Sequence, residues 1–137
     1  MPIYRTTIRE GVSNEEQRAR ISDEIVRVHC GVTGAPRGFV NNYFSEVGPE
    51  GPEHGSGEIP EGKVALVHGT IRANRTDADK AEIVSDLTNF VAKTLGRPPE
   101  EVAVVTEDIP ASWCMEGGVV LPEPGSPEEE EWKKKTE

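Results

Sequence analysis

The first two residues of the chain could supply a catalytic amine. Pro2 follows Met1, so removal of the methionine would leave a secondary amine at the new amino terminus. An amino terminus has a pKa of roughly 7.7–8, so it can accept or release a proton near neutral pH. The alternative is an inert terminus, and the amine matters only if other residues build a site around it.

Two arginines could bind the carboxylate of a substrate. Arg72 and Arg75 lie in HGTIRANRT, where Arg72 ends a predicted strand and Arg75 directly precedes a helix cap. Guanidinium groups donate paired hydrogen bonds to carboxylates, so two of them facing one pocket would form a clamp. The alternative is that both are solvated side chains in a turn.

Two further side chains could take part in binding or proton transfer. His29 lies in the last turn of the first predicted helix, where it could instead interact only with the helix dipole. Glu116 follows the apolar segment 113–115, which could shield its carboxylate from water and suit it to proton transfer. The alternative for Glu116 is a surface carboxylate in a glycine loop, and His68 is interpreted as structural.

The composition narrows the class of ligand. A formal net charge of −10 over 137 residues argues against nucleic acid, but it permits a small anion in a locally positive pocket. No apolar run approaches the ~20 residues of a membrane span, and the first residues lack the layout of a secretion signal. We therefore expect a cytoplasmic protein with no membrane contact. Cys30 and Cys114 lack metal-type spacing and are interpreted as structural thiols.

Strands and helices alternate along the chain. The apolar patterns predict strands over 3–8, 39–44, 64–71 and 102–106. One helix is predicted from a capping box at Ser13 and Glu16 to about Cys30, ended by Gly31 and Gly34. Another is predicted from Thr76 to Leu95, ended by Gly96.

A shift of 63 residues places 7–9 on 70–72 and Ser13 on Thr76, which indicates a duplicated strand–helix–strand unit. The helical connection predicts parallel strands within each unit. The fold class is therefore α+β: tandem β-α-β repeats forming a four-stranded sheet with two helices on one face. The other face is expected to pack on further subunits.

We expect one domain over 1–137, with repeat one at about 2–47 and repeat two at about 63–107. The loop 48–62 lacks a phosphate-binding pattern, and its His54 is expected to be solvated. The segment 108–137 includes a helix beginning at Ser126 and Pro127, because acids come first and lysines last. Trp132 would anchor that helix, on a neighbouring subunit; the alternative is a frayed tail.

The Met-Pro start, HCGVTG, VHGTIRANR and MEGGVVLPEPG occur in this order along nearly the whole chain. Together they resemble the tautomerase superfamily, specifically its cis-3-chloroacrylic acid dehalogenase-like group. The resemblance implies a tautomerase/MIF-like fold, a homotrimer, catalysis by Pro2 and no metal or organic cofactor. It also implies that Arg72 and Arg75 bind the substrate carboxylate, that His29 helps to bind the substrate, and that Glu116 activates water in dehalogenating members.

One position departs from this pattern. Dehalogenating members carry a tyrosine eleven residues before the loop glutamate, where this chain has Val105. The resemblance therefore favours a tautomerase acting on small 2-hydroxy-alkenoate or 2-oxo acids, with Pro2 as general base or acid. A weak hydratase or dehalogenase of 3-substituted acrylic acids is one alternative. A non-catalytic trimeric binding protein is another, if Met1 is retained.

Overall fold

A four-stranded mixed sheet carries two long helices on one face. The computed structural model describes residues 1–48 and 59–136, so most of the predicted loop, including His54, lies outside the described residues. The strands of the sheet are β1 (Ile3–Arg9), β2 (Asn41–Val47), β3 (Ala65–Arg72) and β4 (Val102–Ile109), and the helices are α1 (Glu15–Thr33) and α2 (Asp77–Leu95). This architecture confirms the predicted fold class.

The pairing of the strands explains where a site can form. The strand order is β2-β1-β3-β4, with β1 parallel to β2, β3 parallel to β4, and β1 antiparallel to β3. In the antiparallel register Ile3 lies opposite Thr70. The start of β1 is therefore next to the end of β3, so the amino terminus and Arg72 lie at the same end of the two central strands.

The hydrophobic core lies between the sheet and the two helices. Alternate residues of β1 face the helices, as expected for a strand with one covered face. The core residues with no exposed surface include Tyr4 and Ile8 of β1, Ile21 and Ile25 of α1, Ala65 and Val67 of β3, and Ile83, Leu87 and Val91 of α2. On the opposite face of the sheet Tyr43 and Val105 are 56% and 47% exposed. That face is open in the single chain.

Three predicted boundaries were wrong for local reasons. The capping residue of α1 is Asn14 and not Ser13, because Asn14 and Gln17 exchange hydrogen bonds between side chain and backbone in both directions. The helix also continues through Gly31 and ends at Gly34. Strand β2 begins at Asn41 rather than residue 39, because a 3₁₀ turn at Arg37–Phe39 follows Pro36. The predicted cap and stop of α2, Thr76 and Gly96, are confirmed.

The last segment contains a short hairpin and a helix. The hairpin, β5 (Met115–Glu116) with β6 (Val119–Val120), was not predicted. Helix α3 (Pro127–Thr136) was predicted, and Trp132 anchors it within its own chain. The Trp132 ring packs on Phe39, with ring centroids 4.4 Å apart, and its contact with a neighbouring subunit stays a prediction. Within the described ranges, no helix is long and apolar enough to cross a membrane.

Candidate active site

The amino terminus is buried and paired with Glu116. The Met1 ammonium nitrogen donates to Glu116 Oε1 at 2.6 Å, and Met1 is only 6% exposed. Its side chain packs in an apolar cluster around Ala111 and Leu121. The Glu116 side chain is 46% exposed, which favours the alternative of a surface carboxylate over one shielded by the segment 113–115. The hairpin turn places Glu116 there, and its two central residues, 117 and 118, have φ of 60° and 81°, which favours the glycines found.

An open cleft lies beside this pair. Its volume is about 380 Å³, and it is lined by Met1, Ile3, Arg5, Thr70, Ile109 and the segment 113–116. Trp113 forms part of its wall and is 79% exposed. Among the described residues, the lining includes neither His29 nor the two arginines. The cleft therefore reaches the amino terminus and Glu116 but stops short of the predicted clamp while Met1 is in place.

Arg72 is held on three sides by the last segment of the chain. Its Nη1 donates to the Pro122 carbonyl at 2.6 Å, and its Nη2 donates to Glu129 Oε2 at 2.6 Å. The guanidinium carbon lies 5.2 Å from the centre of the Trp132 ring, within the range of a cation–π contact. Arg72 is 3% exposed. Both terminal nitrogens therefore already have acceptors, and the positive charge has a buried partner.

Glu129, the partner of Arg72, is itself fixed in place. The Gly125 N–H donates to Oε1 at 3.1 Å, and the Lys133 ammonium lies 3.4 Å from the same oxygen. Burial by itself would raise the pKa of Glu129, but the Gly125 N–H and the Arg72 guanidinium hold it below its ordinary value. Glu129 is therefore an anion in the folded protein, and it neutralises much of the charge that Arg72 would offer to a substrate.

Arg75 has fewer partners. Its Nη1 lies 3.5 Å from the Thr33 carbonyl, a long contact, and its buried Nε has no hydrogen-bond partner among the described residues. Burial and the positive charge of Arg72 hold the pKa of Arg75 below its ordinary value. A carboxylate placed against Arg75 would relieve both costs.

His29 is buried and neutral. Its Nδ1 lies 2.9 Å from Tyr4 Oη, and the residue is 2% exposed. Burial is the main cause that lowers the pKa of His29 to about 3, and the positive charges of Arg75, Arg72 and the terminal amine contribute to the same shift. Because all three charges affect the same ring, the amino terminus and both arginines lie close enough to His29 to interact with it electrostatically.

The site as a whole places groups that could transfer a proton beside groups that could bind an anion. The amino terminus and Glu116 lie at the open cleft, and Arg75 and His29 lie in the adjoining buried region. Val105 is not in the cleft lining, and it lies on the open face of the sheet, opposite His68. Throughout the described ranges, no three His, Cys, Asp or Glu side chains are grouped so as to hold a metal ion.

Sequence reasoning missed two residues at this site. Tyr4 alternates with Thr6 and Ile8 on the covered face of β1, which could have shown that its hydroxyl needs a buried partner. Glu129 lies in a run of four glutamates and has little to distinguish it. Its signal is that it precedes Trp132 by three residues, which places both on one face of α3.

Comparison with known proteins relates the whole chain to one family. The pattern of the family described as "Putative oxalocrotonate tautomerase enzyme" matches residues 1–137. The crystal structure of N1, a member of the cis-3-chloroacrylic acid dehalogenase family, is similar at 35% identity and a TM-score of 0.80, covering 95% of this chain and 89% of that one. No curated protein matches the sequence.

Two more distant structures share the fold alone. A fused 4-OT solved as an asymmetric trimer has 23% identity and a TM-score of 0.74, covering 86% of this chain and 94% of that one. A malonate semialdehyde decarboxylase, FG41, inhibited by 3-bromopropiolate, has 17% identity and a TM-score of 0.68, covering 84% of this chain and 88% of that one.

Proposed function

Since this chain belongs to the tautomerase superfamily, in its cis-3-chloroacrylic acid dehalogenase-like group, we propose that it is a cofactor-independent tautomerase. Its substrates would be small 2-hydroxy-alkenoates, which it converts to 2-oxo acids. The observation that carries this proposal is the buried amino terminus, 2.6 Å from Glu116 at the end of an open cleft.

Removal of Met1 would complete the site. Met1 fills a buried space between the apolar residues Ala111 and Leu121, and it also lines the cleft. Its loss would empty that space and leave Pro2 with a free secondary amine. The cleft would then extend towards the region where Arg75 and His29 lie.

Arg75 is the better placed of the two arginines to receive a substrate carboxylate. Its Nε has no partner among the described residues, whereas both terminal nitrogens of Arg72 are already bonded. Arg72 would contribute directly only where the substrate displaces Glu129. The proposed clamp thus consists of Arg75, which is available to the substrate, and Arg72, which becomes available only when Glu129 is displaced.

The reaction needs one group that moves a proton. The neutral Pro2 nitrogen takes the proton of the 2-hydroxyl group, the C2–O bond becomes a carbonyl, and C3 receives a proton to give the 2-oxo acid. The two arginine charges favour the neutral amine, whereas Glu116 favours the ammonium. The role of general base requires the neutral amine at pH 7, and the NMR titration described below measures this directly.

The test compares the rate of phenylenolpyruvate ketonisation with the state of the amino terminus. Intact-mass measurement gives the trimmed fraction of each preparation, and the rate should be proportional to that fraction. Pro2→Ala should be at least about tenfold slower, because it replaces the secondary amine that accepts the proton. Equal rates for the wild type and Pro2→Ala would refute the proposal. Complete retention of Met1 in protein from its native host would favour the non-catalytic binding protein.

A second candidate function follows from the contact between Glu116 and the amino terminus. A half-exposed carboxylate next to an ammonium could activate water for addition to a 3-substituted acrylic acid, with Pro2 as a cationic acid. An NMR titration of the Pro2 nitrogen in trimmed protein distinguishes the two functions. An amine that is already neutral at pH 7 excludes the hydration mechanism.

We also propose that the protein is a homotrimer. The open face of the sheet forms a hollow of about 480 Å³ lined by Ile3, Arg5, Thr7, Leu66, His68 and the segment 43–45. A half-apolar sheet face of this kind is typical of a subunit interface. Light scattering coupled to gel filtration should give three times the mass of 14.9 kDa. A monomer at micromolar concentration would refute the trimer.

A further inference from the structure

A buried tyrosine contacts the ring of His29. Tyr4 Oη lies 2.9 Å from His29 Nδ1, and the two rings meet edge to face, with centroids 5.6 Å apart and planes at 78°. Tyr4 is fully buried, and His29 is 2% exposed. The pair joins β1 to the carboxyl-terminal part of α1, so both rings belong to the core as well as to the candidate site.

The fold fixes the position of the tyrosine ring. Tyr4 lies opposite Gly69 in the register of β1 with β3. A Cβ atom on Gly69 would lie 2.5 Å from a carbon of the Tyr4 ring, which is closer than any real contact. Glycine at this position therefore makes room for the ring, and the location of the hydroxyl group is set by backbone packing.

Both groups are neutral, so each carries one proton that could be shared. The pKa of His29 is about 3, chiefly because the ring is buried. Burial also raises the pKa of Tyr4 well above its ordinary value, so the phenol keeps its proton. The remaining question is whether the phenol or Nδ1 donates the hydrogen bond.

The lack of other partners decides the direction. Within 1–48 and 59–136, Nδ1 is the sole hydrogen-bond partner of Tyr4 Oη. If Nδ1 carried the ring proton, the phenol proton would be buried without an acceptor, at a cost of about 1–3 kcal/mol. If the phenol donates, its proton is satisfied and the ring proton resides on Nε2. The second arrangement is favoured.

We propose that Tyr4 is a positioning residue that holds His29 in the Nε2–H tautomer, so that Nε2 donates a hydrogen bond to an oxygen of the bound 2-hydroxy or 2-oxo acid. The substrate in this statement rests on the proposed function. In the described part of the chain no hydrogen bond to Nε2 is found, and Nε2 is not one of the fully buried polar atoms that lack a partner, so it keeps a small contact with solvent. A ligand that displaces this solvent must offer the Nε2–H an acceptor, and an oxygen of the bound acid would do so.

The tautomer can be measured without any activity assay. The chain has three histidines, so His54→Gln with His68→Gln leaves only the signals of His29 in a ¹⁵N-histidine-labelled sample. At neutral pH we expect Nδ1 to have the chemical shift of an unprotonated nitrogen and Nε2 that of a protonated one. The reverse assignment would overturn the proposal. The expected tautomer in a protein that lacks ketonisation would refute the proposed function and leave the role of Tyr4 intact.

Tyr4→Phe tests whether the hydroxyl is the cause. The variant keeps the ring that fits against Gly69 but removes the donor, so His29 should become a mixture of both tautomers. The value of kcat/KM should fall by about three- to tenfold, the effect of one misdirected hydrogen bond. Tyr43→Phe is the matched control for the tautomer measurement: Tyr43 is 56% exposed on the opposite face of the sheet, so its loss of a hydroxyl should leave the His29 tautomer unchanged. An unchanged tautomer in Tyr4→Phe would show that the hydroxyl has no such role.

Discussion

Replacing Glu129 by glutamine would leave the Arg72 guanidinium buried without its counter-charge. The two side chains are 5% and 3% exposed, and their nearest N and O atoms are 2.6 Å apart. Removal of one partner from a buried ion pair costs about 3–5 kcal/mol, because the remaining charge stays desolvated. Glutamine keeps an oxygen that can accept from Arg72, so we expect the lower end, about 3 kcal/mol. For a domain of this size the unfolding temperature should fall by roughly 10 °C.

The matched control is Glu130→Gln on the same helix. The Glu130 side chain is 69% exposed, and its oxygen lies 3.5 Å from the Lys133 ammonium. An exposed pair of this kind contributes about 0–1 kcal/mol, so this variant should unfold close to the wild-type temperature. Thermal unfolding followed by circular dichroism at pH 7 and at equal protein concentration gives the comparison. Equal unfolding temperatures for the two variants would refute the assigned role of the buried pair.

Glu129→Gln also tests whether Glu129 competes with the substrate for Arg72, because its effect on KM can be measured. Once Glu129 is neutral, Arg72 regains an uncompensated charge and can bind a carboxylate. Below its unfolding temperature, Glu129→Gln should therefore lower the KM for phenylenolpyruvate, whereas Glu130→Gln should leave it unchanged. A raised KM would show that Glu129 orients Arg72 for the substrate and does not compete with it.

Two further predictions concern position 105 and the dependence on pH. Val105→Tyr introduces the tyrosine that the resemblance assigns to dehalogenating members. If the titration shows a cationic Pro2 amine at pH 7, chloride release from cis-3-chloroacrylate should increase at least about tenfold, whereas with a neutral amine it should not increase. Because Val105 lies outside the cleft lining of its own chain, the gain should require the oligomer and disappear in a monomeric preparation. The pKa of His29 is about 3 in the fold and 6.5 ordinarily, so only the unfolded chain takes up this proton as the pH falls from 6.5. Stability should then fall by up to about 1.4 kcal/mol per pH unit, and His29→Gln should remove this slope between pH 6.5 and 5 but not change the slope above pH 7. The free energy of unfolding is measured by urea denaturation. If it has the same pH dependence in the wild type and in His29→Gln at all pH values, His29 is not a buried neutral ring.

The sequence predicts the fold well because its signals are local. Apolar spacing and helix caps act within a few residues, so the β-α-β repeats and the cap at Thr76 follow from short windows. The error at Ser13 also has a local cause, since Asn14 offers the same type of cap one residue later. Such boundaries depend on which of two adjacent side chains bonds the backbone.

The contacts within the candidate site could not be predicted in the same way. Arg72 and Glu129 are separated by 57 residues, and nothing in the glutamate run shows which carboxylate would be buried. The hydrogen bond between Tyr4 and His29 spans 25 residues and depends on the packing of α1 against β1. Residue types therefore indicate which groups could bind a substrate or transfer a proton. Which of these groups already have a hydrogen-bond partner within the protein depends on the packing.

The duplication explains why the chain has one candidate site although it has two similar units. At the shift of 63 residues Arg9 corresponds to Arg72, Val64 to Met1 and Ala65 to Pro2. Because β1 and β3 are antiparallel, Arg9 lies at the opposite end of these strands. There its Nε donates to the Lys63 carbonyl at 2.6 Å. The nitrogen of Val64 at that end is a peptide amide that donates to the Glu101 carbonyl at 2.8 Å. An amide has no basic lone pair and cannot serve as a base. A terminal amine is present only at the end of the strands where the amino terminus lies next to the arginine of the second unit, so the candidate site forms there.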